Sequence, residues 1–94
     1  MSDVMDVHQT IIVKGKVQGV YYRASAKQKA NELNITGFAQ NLPNGDVLIE
    51  AEGAEESLNE FTDWCRRGPA SAIVSNVDIS DGPVMDYLSF SIKR

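Results

Sequence analysis

The chain has 94 residues, 43% hydrophobic and 23% charged, and its nine Lys plus Arg against 13 Asp plus Glu leave a formal net charge of −4. That length supports one hydrophobic core, and the acidic balance argues against a general nucleic-acid binder, whose affinity rests on a basic footprint. The same balance argues against whole-molecule attraction of an anion, so an anionic ligand would need a local device. Residues 1–6 carry two acids and no apolar run and read as a short N-terminal extension, not a secretory signal. Residues 7–94 read as a single domain.

From Val7 to Lys14 the β-branched cluster Thr10-Ile11-Ile12-Val13 predicts a strand, with Val7, Ile11 and Val13 on one side and His8, Thr10 and Lys14 on the other. Gly15 to Tyr21 is a glycine-containing loop. Tyr22, Ala26, Ala30 and Leu33 then recur at helical spacing and predict a helix over about 22–34. Ile35 to Leu42 is a second strand, and Pro43-Asn44-Gly45 is a hairpin signal leading to a third strand over 46–53. A second helix covers about 54–67. Glu55 and Glu56 lie in its first turn, Arg66 and Arg67 in its last, and Gly68-Pro69 ends it. Leu58, Phe61 and Cys65 form its inner stripe, with Trp64 beside them as a partly buried packing residue. Residues 72–80 are a strand whose apolar residues, Ile73, Val74, Val77 and Ile79, change phase as at a bulge. Asp81-Gly82-Pro83 turns the chain, and Tyr87 to Ile92 closes it as a last strand.

The order strand, helix, strand, strand, helix, strand, strand is a split βαβ repeat of the α+β class. It predicts a ferredoxin-like sandwich: an antiparallel sheet of four or five strands with both helices on one face. Fold alone does not settle function. One cysteine, Cys65, rules out an internal disulfide or a cysteine-rich metal site, and one histidine, His8, rules out a His cluster. No run approaches the ~20 apolar residues of a membrane span. The expected home is a reducing cytoplasm.

The segment Gly15-Lys16-Val17-Gln18-Gly19-Val20-Tyr21-Tyr22-Arg23 carries the chemistry. A glycine-containing loop feeding a helix N-terminus offers several backbone N–H groups to an anion, and an arginine at the helix start adds a planar fork for two phosphate oxygens. Spacing and the residues after Gly19 exclude a Walker A loop, and the dinucleotide fingerprint fails too. Taken by themselves, these residues leave an anion-binding loop and a plain connection both open, and Lys14 and Lys16 read as solvated charges.

The run Gly15-x-Val17-Gln18-Gly19-Val20-x-Tyr22-Arg23 closely resembles the first signature of acylphosphatases, and Gly37-Phe38-Ala39-Gln40-Asn41-Leu42-Pro43-Asn44-Gly45 resembles the second. Gly68-Pro69-Ala70-Ser71-Ala72 and Phe90-Ser91-Ile92-Lys93-Arg94 also resemble segments of that family. The resemblance implies a small hydrolase that splits the carboxyl–phosphate bond of acyl phosphates into carboxylate and inorganic phosphate. It implies that Arg23 grips the phosphoryl group beside the amides of Gln18, Gly19, Val20, Tyr21, Tyr22 and Arg23, and that Asn41 positions the attacking water. No cofactor and no metal are implied. The expected partner is a small acyl phosphate, with inorganic phosphate or sulfate as an occupant of the loop, no nucleic acid, no membrane, and a monomeric chain.

Tyr22 stands where phenylalanine is usual in the family, and adds only a hydroxyl. Ala39 and Gln40 stand where a larger apolar residue and often a basic one occur, so Gln40 is expected to remove a positive charge near the site. The leaving carboxylate is a weak base, which suits a site without histidine, cysteine or metal; positioning and charge stabilisation are then the whole task. The competing class is a non-catalytic module that uses the same loop only to bind. An RNA platform is disfavoured by the acidic chain and by the few strand aromatics, Phe38, Tyr87 and Phe90.

Overall fold

The computed structural model describes residues 5–94; residues 1–4 of the expected extension lie outside the described residues. The elements are β1 (Val7–Lys16), α1 (Tyr22–Glu32), β2 (Thr36–Asn41), β3 (Val47–Gly53), α2 (Glu55–Arg67), β4 (Ile73–Gly82) and β5 (Phe90–Lys93). They form a five-stranded sheet in the order β4-β1-β3-β2-β5. Both β1 and β2 run antiparallel to β3, which lies between them. They therefore run parallel to each other, and the loop leaving β1 ends at the same sheet edge as Asn41, the last residue of β2.

The expectation of an antiparallel sheet is corrected. The sheet is mixed, because β5 runs parallel to β2, from Gly37↔Phe90 to Gln40↔Lys93. Connectivity explains it: β4 lies at one edge of the sheet and β5 at the other, and the 83–89 segment crosses the face away from the helices to join them. At the usual strand spacing that crossing is roughly 19 Å, within reach of a nearly extended segment of this length. The crossing also shortens the closing strand, which begins at Phe90 and not at Tyr87. The Tyr87 amide donates to the Glu52 carboxylate at 3.2 Å, taking it out of any ladder. Asp81 and Gly82, expected in a turn, still pair with β1.

The expected bulge is present. Lys14 pairs with Asn76 and Gly15 with Val74, so Ser75 is the extra residue. Gly15 is needed opposite it: its φ is +129°, and a Cβ there would lie 2.2 Å from the Ile73 carbonyl oxygen.

The core lies between the sheet and the two helices. Ile11, Val13, Ile49 and Ala51 face inward from the sheet, and Leu58, Phe61 and Cys65 from α2 are fully buried against them. From α1 come Tyr22, Ala26 and Ala30, the alanines letting the helix lie close to the strands. Trp64 is half-buried beside this stripe, stacked on Phe61 and tilted against Tyr22. The first helix ends at Glu32, short of the predicted limit, because Asn34 adopts a left-handed φ of 58°.

Candidate active site

After β1 the chain turns through residues 17–21 into α1. Val17 and Val20 are buried and pin this loop to the core. Between them Gly19 has φ +74° with open space around its Cβ direction, so conformation and not room selects glycine there. Tyr21, at the N-cap of α1, also sits in the left-handed region (φ 62°, ψ 25°) although it is not glycine. That geometry costs about 1 kcal/mol or more and persists only where surrounding contacts enforce it. Here Val20 is buried, its carbonyl accepts from the Ser71 hydroxyl at 3.1 Å, and Tyr22 is locked in the core.

Tyr22 is held by its hydroxyl as well as its ring. The hydroxyl donates to the Cys65 carbonyl at 2.8 Å. That carbonyl belongs to the last turn of α2, where four C=O groups lack intrahelical partners, so the extra oxygen of tyrosine satisfies one of them. Burial pushes the Tyr22 phenol well above its ordinary value and the Cys65 thiol up to about 12. Both stay neutral near neutral pH, and Cys65 is a small core hydrophobe as expected.

The start of α1 is set up for negative charge. It has no side-chain cap and no acidic residue in its first turn. Among the described residues, the amides of Gln18, Gly19, Val20, Tyr21, Tyr22 and Arg23 find no backbone acceptor outside the helix. Arg23 follows within this first turn. One of its guanidinium nitrogens donates to the Lys93 carbonyl at 2.9 Å, which ties it to the end of β5 and leaves the rest of the fork unengaged by described residues.

Asn41 ends β2 opposite Val47. Its Oδ1 is buried and has no hydrogen-bond partner among the described residues. An orphaned buried amide oxygen costs about 1–3 kcal/mol, and water or ligand commonly relieves such a cost.

These parts meet in a cleft of about 460 Å³. Gly19, Tyr21, Tyr22 and Arg23 line it from the loop and helix start, Asn41 from β2, and Ile92 and Arg94 from the end of β5, with Val17 and Ala24 completing the wall. It thus contains two arginines and no acidic side chain, in a protein of net charge −4. Of the expected site residues, Gln18 and Val20 do not line the cleft through their side chains. Val20 points into the core, and the Gln18 amide donates to the Leu42 and Asp46 carbonyls at 2.7 and 2.8 Å.

Two expectations change here, at Gln40 and Lys14, and His8 gains partners on its expected side. Gln40 alternates with Ala39 and Asn41 and pairs with Leu48, so it lies on the sheet face away from the helices and the cleft. No charge is missing from the site on its account. Lys14 is no free surface charge: its ammonium is 2.8 Å from the Asp46 carboxylate, whose hydrogen bond and charge raise the lysine above its ordinary value. His8, read as an alternating polar position, is buried between Glu50 and Glu52. Sequence reasoning also missed Arg94, Ile92 and Ser71 as contributors, since only the long-range placement of β5 and residue 71 brings them to the loop.

The family model described as acylphosphatase matches residues 9–92. The chain belongs to the acylphosphatase family. It is 46% identical over 85 residues to an acylphosphatase of Methylococcus capsulatus, covering 89% of this chain and 92% of that one. To an acylphosphatase of Marinobacter nauticus it is 51% identical over 73 residues, covering 78% and 79%. The structure of an acylphosphatase from Coxiella burnetii superposes with a TM-score of 0.93 at 39% identity, over 99% of this chain and 100% of that one. The family assignment therefore covers both the loop and the strand that form the cleft. No helix among the described residues is long and apolar enough to cross a membrane.

Proposed function

We propose that the cleft is an acylphosphatase active site, which hydrolyses the carboxyl–phosphate bond of an acyl phosphate to carboxylate and inorganic phosphate. The observation that carries this reading is that Arg23 and Asn41, from two signature-like stretches separate in sequence, line one cleft. The phosphoryl group sits at the N-terminus of α1, where the amides of 18–23 and the Arg23 fork take its oxygens. Asn41 orients a water opposite the leaving group. The water oxygen forms the new bond to phosphorus as the bond to the acyl oxygen breaks, and the carboxylate departs with the electron pair.

An amide side chain is no base near neutral pH. None of the cleft-lining side chains is a carboxylate or an imidazole. The water's proton therefore passes to the substrate, to a phosphoryl oxygen or to the departing carboxylate. Arg23 and the amides supply the charge stabilisation and Asn41 the positioning, the two dominant contributions in phosphoryl transfer. In this reading a single copy of the chain supplies every residue the reaction needs, and a monomer is the working unit. Inorganic phosphate or sulfate fits the same loop. A cytoplasmic location is part of the same reading.

The test is turnover of acetyl phosphate and benzoyl phosphate by the purified protein in oxygen-18 water. The reading expects hydrolysis with label in the phosphate. Binding of phosphate without turnover would leave a binding module instead, and label in the carboxylate would exclude attack at phosphorus.

A further inference from the structure

The side chain of Gln18 is engaged in a way that the phosphate-loop role of its backbone does not require. Its Nε2 donates to the Leu42 carbonyl at 2.7 Å and to the Asp46 carbonyl at 2.8 Å, so both amide protons are used. Both partners are carbonyl oxygens, so the nitrogen and not the oxygen must face them. Each carbonyl already accepts within the hairpin: Leu42 O from the Gly45 amide at 3.1 Å, and Asp46 O from the Leu42 amide at 2.8 Å. Gln18 supplies the second proton to each and so closes the hydrogen bonding of the turn just beyond Asn41.

The location gives this its consequence. Gln18 precedes Gly19, which lines the cleft, and Leu42 follows Asn41, whose Oδ1 has no partner of its own among the described residues. No side-chain hydrogen bond among the described residues holds Asn41, so its place relative to the loop depends on the backbone either side of it. Asp46 is tied separately to β1 through Lys14, upstream of the loop. Among the described residues, Gln18 is the side-chain link that runs from the loop itself to the turn that follows Asn41.

Resting on the acylphosphatase reading above, we propose that Gln18 is a positioning residue that acts through Asn41. Its two hydrogen bonds set the distance between the phosphoryl-binding amides and the water-orienting amide. In-line attack is sensitive to that distance, since a displacement near 1 Å costs on the order of 10²-fold in rate. Phosphate binding needs only the loop and Arg23, and is not sensitive to it.

A double-mutant cycle on acetyl phosphate turnover tests this, using wild type, Gln18→Met, Asn41→Ala and the double variant, with inorganic phosphate as competitive inhibitor. Methionine keeps the length of Gln18 and removes both donors. Gln18→Met is expected to lower kcat by about tenfold or more while the phosphate inhibition constant changes by less than about twofold. In the Asn41→Ala background the same change is expected to cost less than about twofold, because two residues acting through one group are not additive. Equal costs in the two backgrounds, or an unchanged kcat in Gln18→Met, would overturn the proposal. Gln18→Glu gives an independent readout. Ionised, it faces two carbonyls without a donor; protonated, it regains one, so its kcat relative to wild type is expected to rise as pH falls from about 8 to about 5. A pH-independent ratio contradicts the role. A wild-type protein that leaves acetyl phosphate intact removes the acylphosphatase reading itself, and is distinct from either failure.

Discussion

Nδ1 of His8 lies 2.7 Å from Oε2 of Glu52, its direct partner across the β1–β3 ladder, on the sheet face away from the helices. Nε2 of the same ring is 2.6 Å from Glu50, which also accepts from the Thr10 hydroxyl. Glu52 in turn accepts from the Met85 and Tyr87 amides, so the crossing segment 83–89 is fastened to this cluster. Tyr87 lies against both His8 and Phe38.

The cluster predicts a pH dependence of stability. Burial alone would lower His8, but its hydrogen bonds to Glu52 and Glu50 and their charges raise it above its ordinary 6.5. Burial would raise Glu52, but the Met85 amide, His8 and the Tyr87 amide lower it below its ordinary 4.5. A raised histidine stabilises fully below its unfolded value, and that contribution is lost as pH rises through the folded value. A lowered carboxylate stabilises above its unfolded value and loses its contribution as pH falls through the folded one. The cluster therefore contributes most between about 4.5 and 6.5 and weakens towards alkaline pH. His8→Asn should cost about 1–3 kcal/mol in urea unfolding at pH 6 and distinctly less at pH 9. Equal costs at both would show that folding does not raise the proton affinity of His8.

Tyr22→Phe separates structure from catalysis. It removes the hydrogen bond to the Cys65 carbonyl and leaves that buried oxygen without its partner. A loss of about 1–3 kcal/mol in stability is expected, with kcat on acetyl phosphate within about twofold of wild type. A large fall in kcat at unchanged melting temperature would place the hydroxyl in the chemistry.

Most of the fold was legible because it is written in local patterns. The inner stripe of α2, the alanines of α1, the Asn44-Gly45 turn and the phase change opposite Gly15 are all short-range signals, and each corresponds to an observed feature. Three features were not legible, for one shared reason. The parallel pairing of β5, the burial of His8 between Glu50 and Glu52, and the arrival of Arg94 and Ser71 at the loop all depend on which distant segments become neighbours. Alternation marked His8 as polar-side, correctly. It carried no information on what crosses that side. At the site, Arg23 and Asn41 were named through the family resemblance, whereas the brace made by the Gln18 side chain needed the geometry of the hairpin turn.

Net charge gives a further expectation. The whole chain is acidic, yet the cleft contains Arg23 and Arg94 without an acidic side chain. Attraction of substrate is then short-ranged, within contacts that salt screens poorly, and long-range steering contributes little. Raising sodium chloride from about 50 to about 500 mM should lower kcat/KM for acetyl phosphate by no more than about threefold. A steep decline would mean that the field around the cleft extends well beyond it.

Arg23 and the loop amides hold the phosphoryl group while Asn41 places the water, a division of labour between the two signature stretches. Steady-state kinetics of Asn41→Ala on acetyl phosphate, with inorganic phosphate as competitive inhibitor, tests it most directly. Asn41→Ala should lower kcat about 10²-fold or more with a phosphate inhibition constant close to wild type, in contrast to Arg23→Ala, which should lose both. An Asn41→Ala protein that turns over within a few-fold of wild type, or that no longer binds phosphate, would contradict it.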